Sequence, residues 1–176
     1  MKKFFMMAAM MLMSIGAFAQ EGTLAVGGHL GYASYDGYSP LGIGAKFQYE
    51  FIENFRGEAE YNFWFAKKEA GVSAGLMDVN LNLHYLFKIA DKFNVYPLGG
   101  ISLVATHGDG DSENAIGFNV GGGAEYYIAP NLKVNADVKY FSAKKSKDIT
   151  AFGSTYSFDV IKANGVQFMA GIAYVF

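Results

Sequence analysis

The segment Asn164–Phe176, NGVQFMAGIAYVF, limits what this chain can fold into more than any other. Val166, Phe168, Ala170, Ile172, Tyr174 and Phe176 share one parity and are mostly large and apolar. Gln167, Met169, Gly171, Ala173 and Val175 share the other and are polar, flexible or mostly small. A period of two with unlike faces is the signature of a β-strand lying between two environments. The segment reads as the closing strand of a membrane-spanning barrel.

The start of the chain has a different chemistry. Lys2 and Lys3 precede an apolar run, Phe4 to Ile15, and Ala17-Phe18-Ala19 has the small-x-small form of a cleavage site. Residues 1–19 are expected to be a secretory signal peptide, which makes Gln20 the first mature residue and 20–176 one barrel domain. The run is too short for a membrane anchor, which needs about 20 apolar residues. No later stretch is apolar enough to cross as a helix, so a membrane location requires a closed barrel in which every backbone N–H and C=O is paired. The chain has no cysteine, which excludes a disulfide framework, a thiolate metal site and a lipidated N-terminal Cys. With a net charge of −2 and no dense basic run, nucleic acid is not an expected partner.

Alternating stretches recur through the mature chain. Strands are expected at Thr23–Ser34, Leu41–Phe51, Arg56–Ala66, Ala74–Phe87, Phe93–Thr106, Ala115–Ile128 and Leu132–Ala143, and the terminal strand makes eight. In the second, Leu41, Ile43, Ala45, Phe47, Tyr49 and Phe51 alternate with Gly42, Gly44, Lys46, Gln48 and Glu50. Trp64 falls on the polar parity of the third strand, and a bulge there is expected to re-aim it. Pro97 and Gly99-Gly100 interrupt the fifth, since Pro lacks a ladder donor. Loops are expected at Tyr35–Pro40, Lys67–Ser73, His107–Asn114 and from Lys144 onward. Ile149–Ile161 alternates weakly, as if the last hairpin extends past the membrane.

An internal repeat supports the count. Every second strand ends on a related motif, FQYEF, LHYLF, AEYYI or IAYVF, which places Tyr49, Tyr85, Tyr126 and Tyr174 at one level with Phe51, Phe87 and Phe176. Short turns follow the first three motifs, whereas the other connections are longer and polar. That asymmetry fits an outer-membrane barrel with its short turns in the periplasm, and the aromatics form an interfacial belt.

Periodicity does not say which face is inside, and a soluble ligand-binding barrel would bury the apolar one. An eight-stranded barrel holds roughly one filling of side chains. The apolar face, crowded with Phe, Tyr, Leu and Val, is too bulky for it, so it is assigned to lipid. The lumen then holds Lys46, Arg56, Lys133 and Lys139 with Glu50, Glu58, Glu60, Asp78, Glu125 and Asp137. Buried charges must pair, so a salt-bridged plug is expected, with a narrow ion path as the alternative.

Signal peptide, alternating strands, short turns and the terminal YVF resemble the small outer-membrane β-barrel proteins of the OmpA transmembrane-domain and OmpX type. The resemblance implies an eight-stranded antiparallel up-and-down barrel. It also implies that Tyr174 and Phe176 form the signal read by the barrel-insertion machinery. No peptidoglycan-binding domain follows, so a cell-wall tether is not implied. The family includes lipid A-modifying enzymes, but His29, His84 and His107 come with no signature placing a Ser–His–acid trio. No catalytic residue or cofactor is expected.

Asp109, Asp111 and Glu113 could offer oxygens to Ca²⁺ but lack EF-hand spacing, and a solvated acidic loop is the plainer reading. Lys67, Lys68, Lys144, Lys145 and Lys147 fall at the loop end, where lipopolysaccharide phosphates lie; ordinary loop solubility explains them equally well. The expected function is a monomeric outer-membrane barrel with a structural or surface-interaction role, adhesin-like or in envelope integrity. A small porin and a lipid A-modifying enzyme are the alternatives.

Overall fold

The structure is a computed structural model and describes residues 22–35, 39–69, 72–108, 114–151 and 154–176. Residues 1–21, which carry the signal-peptide reading, lie outside these, as do Asp109, Asp111 and Glu113 of the acidic loop.

The segments are β1 (Thr23–Tyr35), β2 (Leu41–Ile52), β3 (Phe55–Glu69), β4 (Val72–Tyr85), β5 (Phe87–Ala90), β6 (Phe93–Gly108), β7 (Asn114–Ala129), β8 (Leu132–Ala151) and β9 (Ser154–Val175). The short β5 continues the line of β4 past Leu86, and both pair with β6, so the wall has eight strands. All neighbours are antiparallel. The ring closes where β1 meets β9, from Ala25↔Val175 to Tyr35↔Gly165. Closure pairs both edges of the sheet, as a bilayer would demand, since it offers no water to an unpaired backbone group.

Polar and apolar faces separate as the alternation requires. Leu30 is 70% and Ile116 74% exposed on the outer wall, while Lys46 is 2% exposed and Lys139 fully buried within. At one end the two-residue turns Glu53-Asn54, Asp91-Lys92 and Pro130-Asn131 join the strands. A one-residue register shift precedes each turn, at Glu50/Ile52, Lys88/Ala90 and Tyr127/Ala129. Asn54 takes a left-handed φ of 69°, which Asn tolerates better than most residues, and its N–H donates to Glu50 Oε1 at 3.3 Å.

Several expected boundaries move. Strand replaces both ends of the loop expected at Lys67–Ser73: β3 continues to Glu69 and β4 begins at Val72, with Lys67↔Ala74 and Lys68↔Ser73 paired, and residues 70 and 71 lie outside the described residues. His107 lies in β6, opposite Gly75. The loop expected from Lys144 is largely a two-stranded ribbon, because β8 runs to Ala151 and β9 starts at Ser154. Antiparallel pairing satisfies backbone groups wherever it can propagate, and Lys, Ser and Thr do not stop it. At the other end, the turn expected over Lys88–Lys92 shrinks to Asp91-Lys92 because Phe87–Ala90 pair with β6.

β6 itself is unbroken through Pro97 and Gly99-Gly100. Pro97 lies on the outer face opposite Gly122, which brings no side chain against its ring. Trp64 also departs from expectation. It pairs in register with Gly42 and Leu76, and the register shift comes only after it, between Trp64 and Lys67. No bulge re-aims the indole, which obeys its parity and is fully buried in the bore.

Candidate functional site

The lumen is the most chemically distinctive region of the described residues. Its charges form two groups along the bore. Nearest the short turns, Glu125 of β7 accepts from Arg56 Nη1 of β3 at 2.6 Å and from Lys133 Nζ of β8 at 2.9 Å, both on Oε2. Asn94 Nδ2 donates to its other oxygen at 3.0 Å. The Arg56 guanidinium also faces His84 Nδ1, at 3.0 Å from Nη2, and lies 4.8 Å over the Tyr96 ring. His84 stacks on the same ring with an interplanar angle of 8°.

One step further, Lys46 Nζ is 2.6 Å from Asp137 Oδ2 and 3.9 Å from Glu58 Oε2. The Tyr96 hydroxyl donates to Asp137. Gln48 and Asn82 donate to Glu58 at 2.7 and 2.9 Å. This first group holds three cations, Lys46, Arg56 and Lys133, against three carboxylates, Glu58, Glu125 and Asp137.

The second group lies toward the loop end. Glu60 Oε1 accepts from Lys139 Nζ at 2.5 Å, from Asn62 at 2.6 Å and from Asn80 at 3.0 Å. Asp78 accepts from Asn62 at 2.8 Å, from Asn80 at 2.6 Å and from the Trp64 indole N–H at 2.6 Å. Among the described residues no cationic nitrogen comes within ion-pair distance of Asp78. Above this group Tyr35, Trp64 and Phe141 pack with Ala33, Val104 and Ala143 as an apolar lid. Wall glycines let neighbouring strands approach closely: a Cβ on Gly121 would overlap the Val138 carbonyl oxygen and sit 2.5 Å from Lys139 Cα and 2.7 Å from Lys139 Cβ.

The ten charged residues named from parity all lie on the inner face. Nine are buried, and Glu50 is half-buried at the turn end, where it caps Asn54. Tyr96, the lid and the carboxamides of Asn62, Asn80 and Asn82 were not singled out. Tyr96 sits in the strand that Pro97 obscured, and asparagines on a polar parity look like filler until carboxylates appear beside them. His29 is in the bore, with Nε2 at 2.6 Å from Asn62 Oδ1, and its ring fills the space beside Gly44.

The aromatics named for the belt cluster at the turn end. Tyr85 meets Phe55 and Phe87 at ring distances of 4.9 and 4.8 Å, and Tyr174 meets Phe176 at 4.9 Å. Tyr126 stands opposite Phe93, and Tyr49 opposite Leu24 beside Phe51. Phe55 and Phe93, which sequence reading assigned to a turn and a strand start, join this aromatic cluster.

The lysines do not converge. Lys67 and Lys68 end β3, whereas Lys144 and Lys145 lie on β8, across the ring with three wall strands between them on either side. Lys144 is exposed and Lys145 half-buried. The side chains of Lys67, Lys68, His107 and Lys147 lie outside the described residues. Among the described residues no cluster of His, Asp and Glu has metal-ligand geometry.

Comparison with known proteins follows the same lines. Residues 5–176 match the family described as outer membrane protein beta-barrel domain. A comparison with curated proteins gives no match. Among solved structures, neisserial surface protein A is similar at 17% identity and a TM-score of 0.62, covering 88% of this chain and 95% of that one. OprG from Pseudomonas aeruginosa is similar at 15% identity and a TM-score of 0.63, over the same shares. Ail, the attachment invasion locus protein of Yersinia pestis, in complex with the heparin analogue sucrose octasulfate, is similar at 17% identity and 0.55, covering 88% and 97%. At these identities the likeness is one of fold. The chain belongs to the outer membrane protein beta-barrel domain family, and its place is the bacterial outer membrane.

Proposed function

We propose that the protein is a sealed barrel that acts through its surface, in a structural or surface-interaction role such as adhesion or envelope integrity. The observation that carries this reading is the filled bore. Lys46, Arg56, Lys133 and Lys139 each meet a carboxylate within 3 Å, and Tyr35, Trp64 and Phe141 pack above them. An ion crossing this path would have to break buried pairs, each about 3–5 kcal/mol when one partner is lost. What remains for partners is the lipid-facing wall and the loop end, where the β8–β9 ribbon continues past Ala143↔Ala163 without β7 beside it.

The protein is read as non-catalytic: His84 is held between Arg56 and Glu58, and His29 against Asn62. Its partners at the loop end are lipopolysaccharide phosphates, met by Lys67, Lys68, Lys144, Lys145 and Lys147 from two sides of the rim. A sulfated ligand bound by Ail, a barrel of the same fold, favours an anion in that role. At the other end the terminal strand, with Tyr174 and Phe176, is the segment that the insertion machinery reads. A ring without a free edge suits a monomer.

Single-channel recording in planar bilayers tests the reading. The sealed bore predicts no steady conductance, and reproducible long-lived openings would overturn it. Lipopolysaccharide co-purification is expected to fall when Lys144 and Lys145 are both changed to Gln; an unchanged yield would remove the headgroup role.

A further inference from the structure

The two charge groups of the bore are not equivalent. The group near the turns balances, three cations against three carboxylates. The group near the lid sets Lys139 against Glu60 and Asp78, both buried, and leaves one carboxylate without a cationic partner among the described residues. Beside that excess lies a set of oxygens without hydrogen-bond donors. Asn80 gives its amide hydrogens to Glu60 and Asp78, and Asn82 donates to Glu58. Asn119 donates to Ser102 Oγ at 3.0 Å. The Oδ1 atoms of Asn80, Asn82 and Asn119 are buried and unpartnered. The orientations of the Asn80 and Asn82 amides follow from their partners, since only the nitrogen end can donate to a carboxylate, while Asn119 turns its nitrogen to the Ser102 hydroxyl.

These residues are neighbours. Asn80 pairs with Ser102 across β4 and β6; Gly100 pairs with Asn82 on one side and with Asn119 on the other. Asn82 Oδ1 lies over Gly100, where a Cβ would overlap it. Register therefore sets Asn80, Asn82, Asn119 and Ser102 at neighbouring inner-face positions around Gly100, and the Asn82 carboxamide oxygen occupies the space that a side chain there would take. Where the amide nitrogens hold carboxylates, the planar group presents its oxygen on the far side, and the carboxylate charge reinforces the negative end of the amide dipole.

We propose that this niche binds one alkali-metal cation, of the Na⁺ or K⁺ class, through the Asn80, Asn82 and Asn119 carboxamide oxygens and the Ser102 hydroxyl. A hard cation takes oxygen ligands, and a single positive charge matches the single excess negative charge of the Glu60–Asp78–Lys139 group. A divalent ion would overshoot that balance, and the oxygens facing the niche are neutral. The proposal rests on the sealed-bore reading and names what completes its charge balance.

The test is thermal unfolding of the detergent-solubilised full chain at constant ionic strength, with choline chloride replaced stepwise by KCl or NaCl. A ligand bound only by the folded state raises the midpoint with the logarithm of its concentration above Kd. The expected result is a rise with K⁺ or Na⁺ but not with choline. Asn119→Ala, which leaves the ion pairs intact, and Asp78→Asn, which removes the excess charge, should each abolish it. Equal midpoints in all three salts for the unmodified protein would overturn the site and assign the missing charge to a proton. The same dependence retained in both variants would also overturn it. Planar-bilayer recording on the same preparation separates the two readings. Steady openings would overturn the sealed bore, and a flat melt would overturn the cation site whether or not current flows.

Discussion

Glu125 is the carboxylate on which two buried cations converge, which makes Glu125→Gln the most informative single change. Its Oε2 lies 2.6 Å from Arg56 Nη1 and 2.9 Å from Lys133 Nζ, with both partners almost fully buried. Glutamine keeps the shape and can still accept from Asn94, so the loss is electrostatic. Stripping the partner from a buried ion pair costs about 3–5 kcal/mol. With a urea m-value of about 2 kcal/mol/M, a loss of about 4 kcal/mol lowers the unfolding midpoint by about 2 M. The control is Glu53→Gln, whose partner Lys88 stands 3.5 Å away on the exposed turn end, where a pair is worth about 0–1 kcal/mol. Both variants are unfolded in urea from lipid vesicles and followed by loss of β-sheet circular dichroism. If Glu125→Gln moves the midpoint no more than Glu53→Gln, the bore is wet enough to screen its charges and the argument for paired burial fails.

Three further outcomes follow from the same geometry. Trp64→Phe removes the indole donor to Asp78, and should lower stability by about 1.5–3 kcal/mol in the same urea assay. A neutral result would mean that Asp78 finds another donor. Gly121→Ala places a methyl group against Lys139 and should cost about 1–3 kcal/mol. In contrast, Gly28→Ala on the outer wall, whose nearest neighbour is 3.6 Å away, should be tolerated; equal effects on heat-modified gel mobility would contradict that packing. Leu81→Lys puts a charge on the lipid face and should destabilise the folded state by about 2–4 kcal/mol in vesicles. No penalty there would argue that Leu81 does not touch hydrocarbon.

The alternation of residues such as Phe47, Tyr61 and Leu81, with the repeated strand-end motif, was enough to read an eight-strand wall; its sidedness came from bulk, since so many Phe, Tyr and Leu side chains do not fit inside a barrel of this size. Strand ends were less legible. Lys67–Glu69 and Lys144–Asp148 carry polar residues that suit a loop equally well, and what makes them strands is the partner across the hairpin, whereas the weak alternation of Ile149–Ile161 did point to an extended hairpin. The inner charges were visible as residue types on one parity, but their partners were not. Lys46 meets Asp137 across the bore and Lys139 meets Glu60, contacts that depend on barrel diameter and strand stagger. Trp64 was misread for a physical reason: the inner face of a small barrel is polar only as far as its charges reach, and above them an aromatic lid obeys the same parity.

The account stands or falls on which wall faces lipid, and Trp64, the only tryptophan, reports on it directly. The measurement is tryptophan emission in vesicles whose acyl chains carry bromine, which quenches indoles that touch hydrocarbon. Trp64 should emit at the short wavelengths of a buried indole and resist quenching at every bromine depth. The double variant Trp64→Phe/Leu81→Trp should be strongly quenched near the bilayer centre. Strong quenching of Trp64 together with a protected indole at position 81 would turn the barrel inside out and contradict the account.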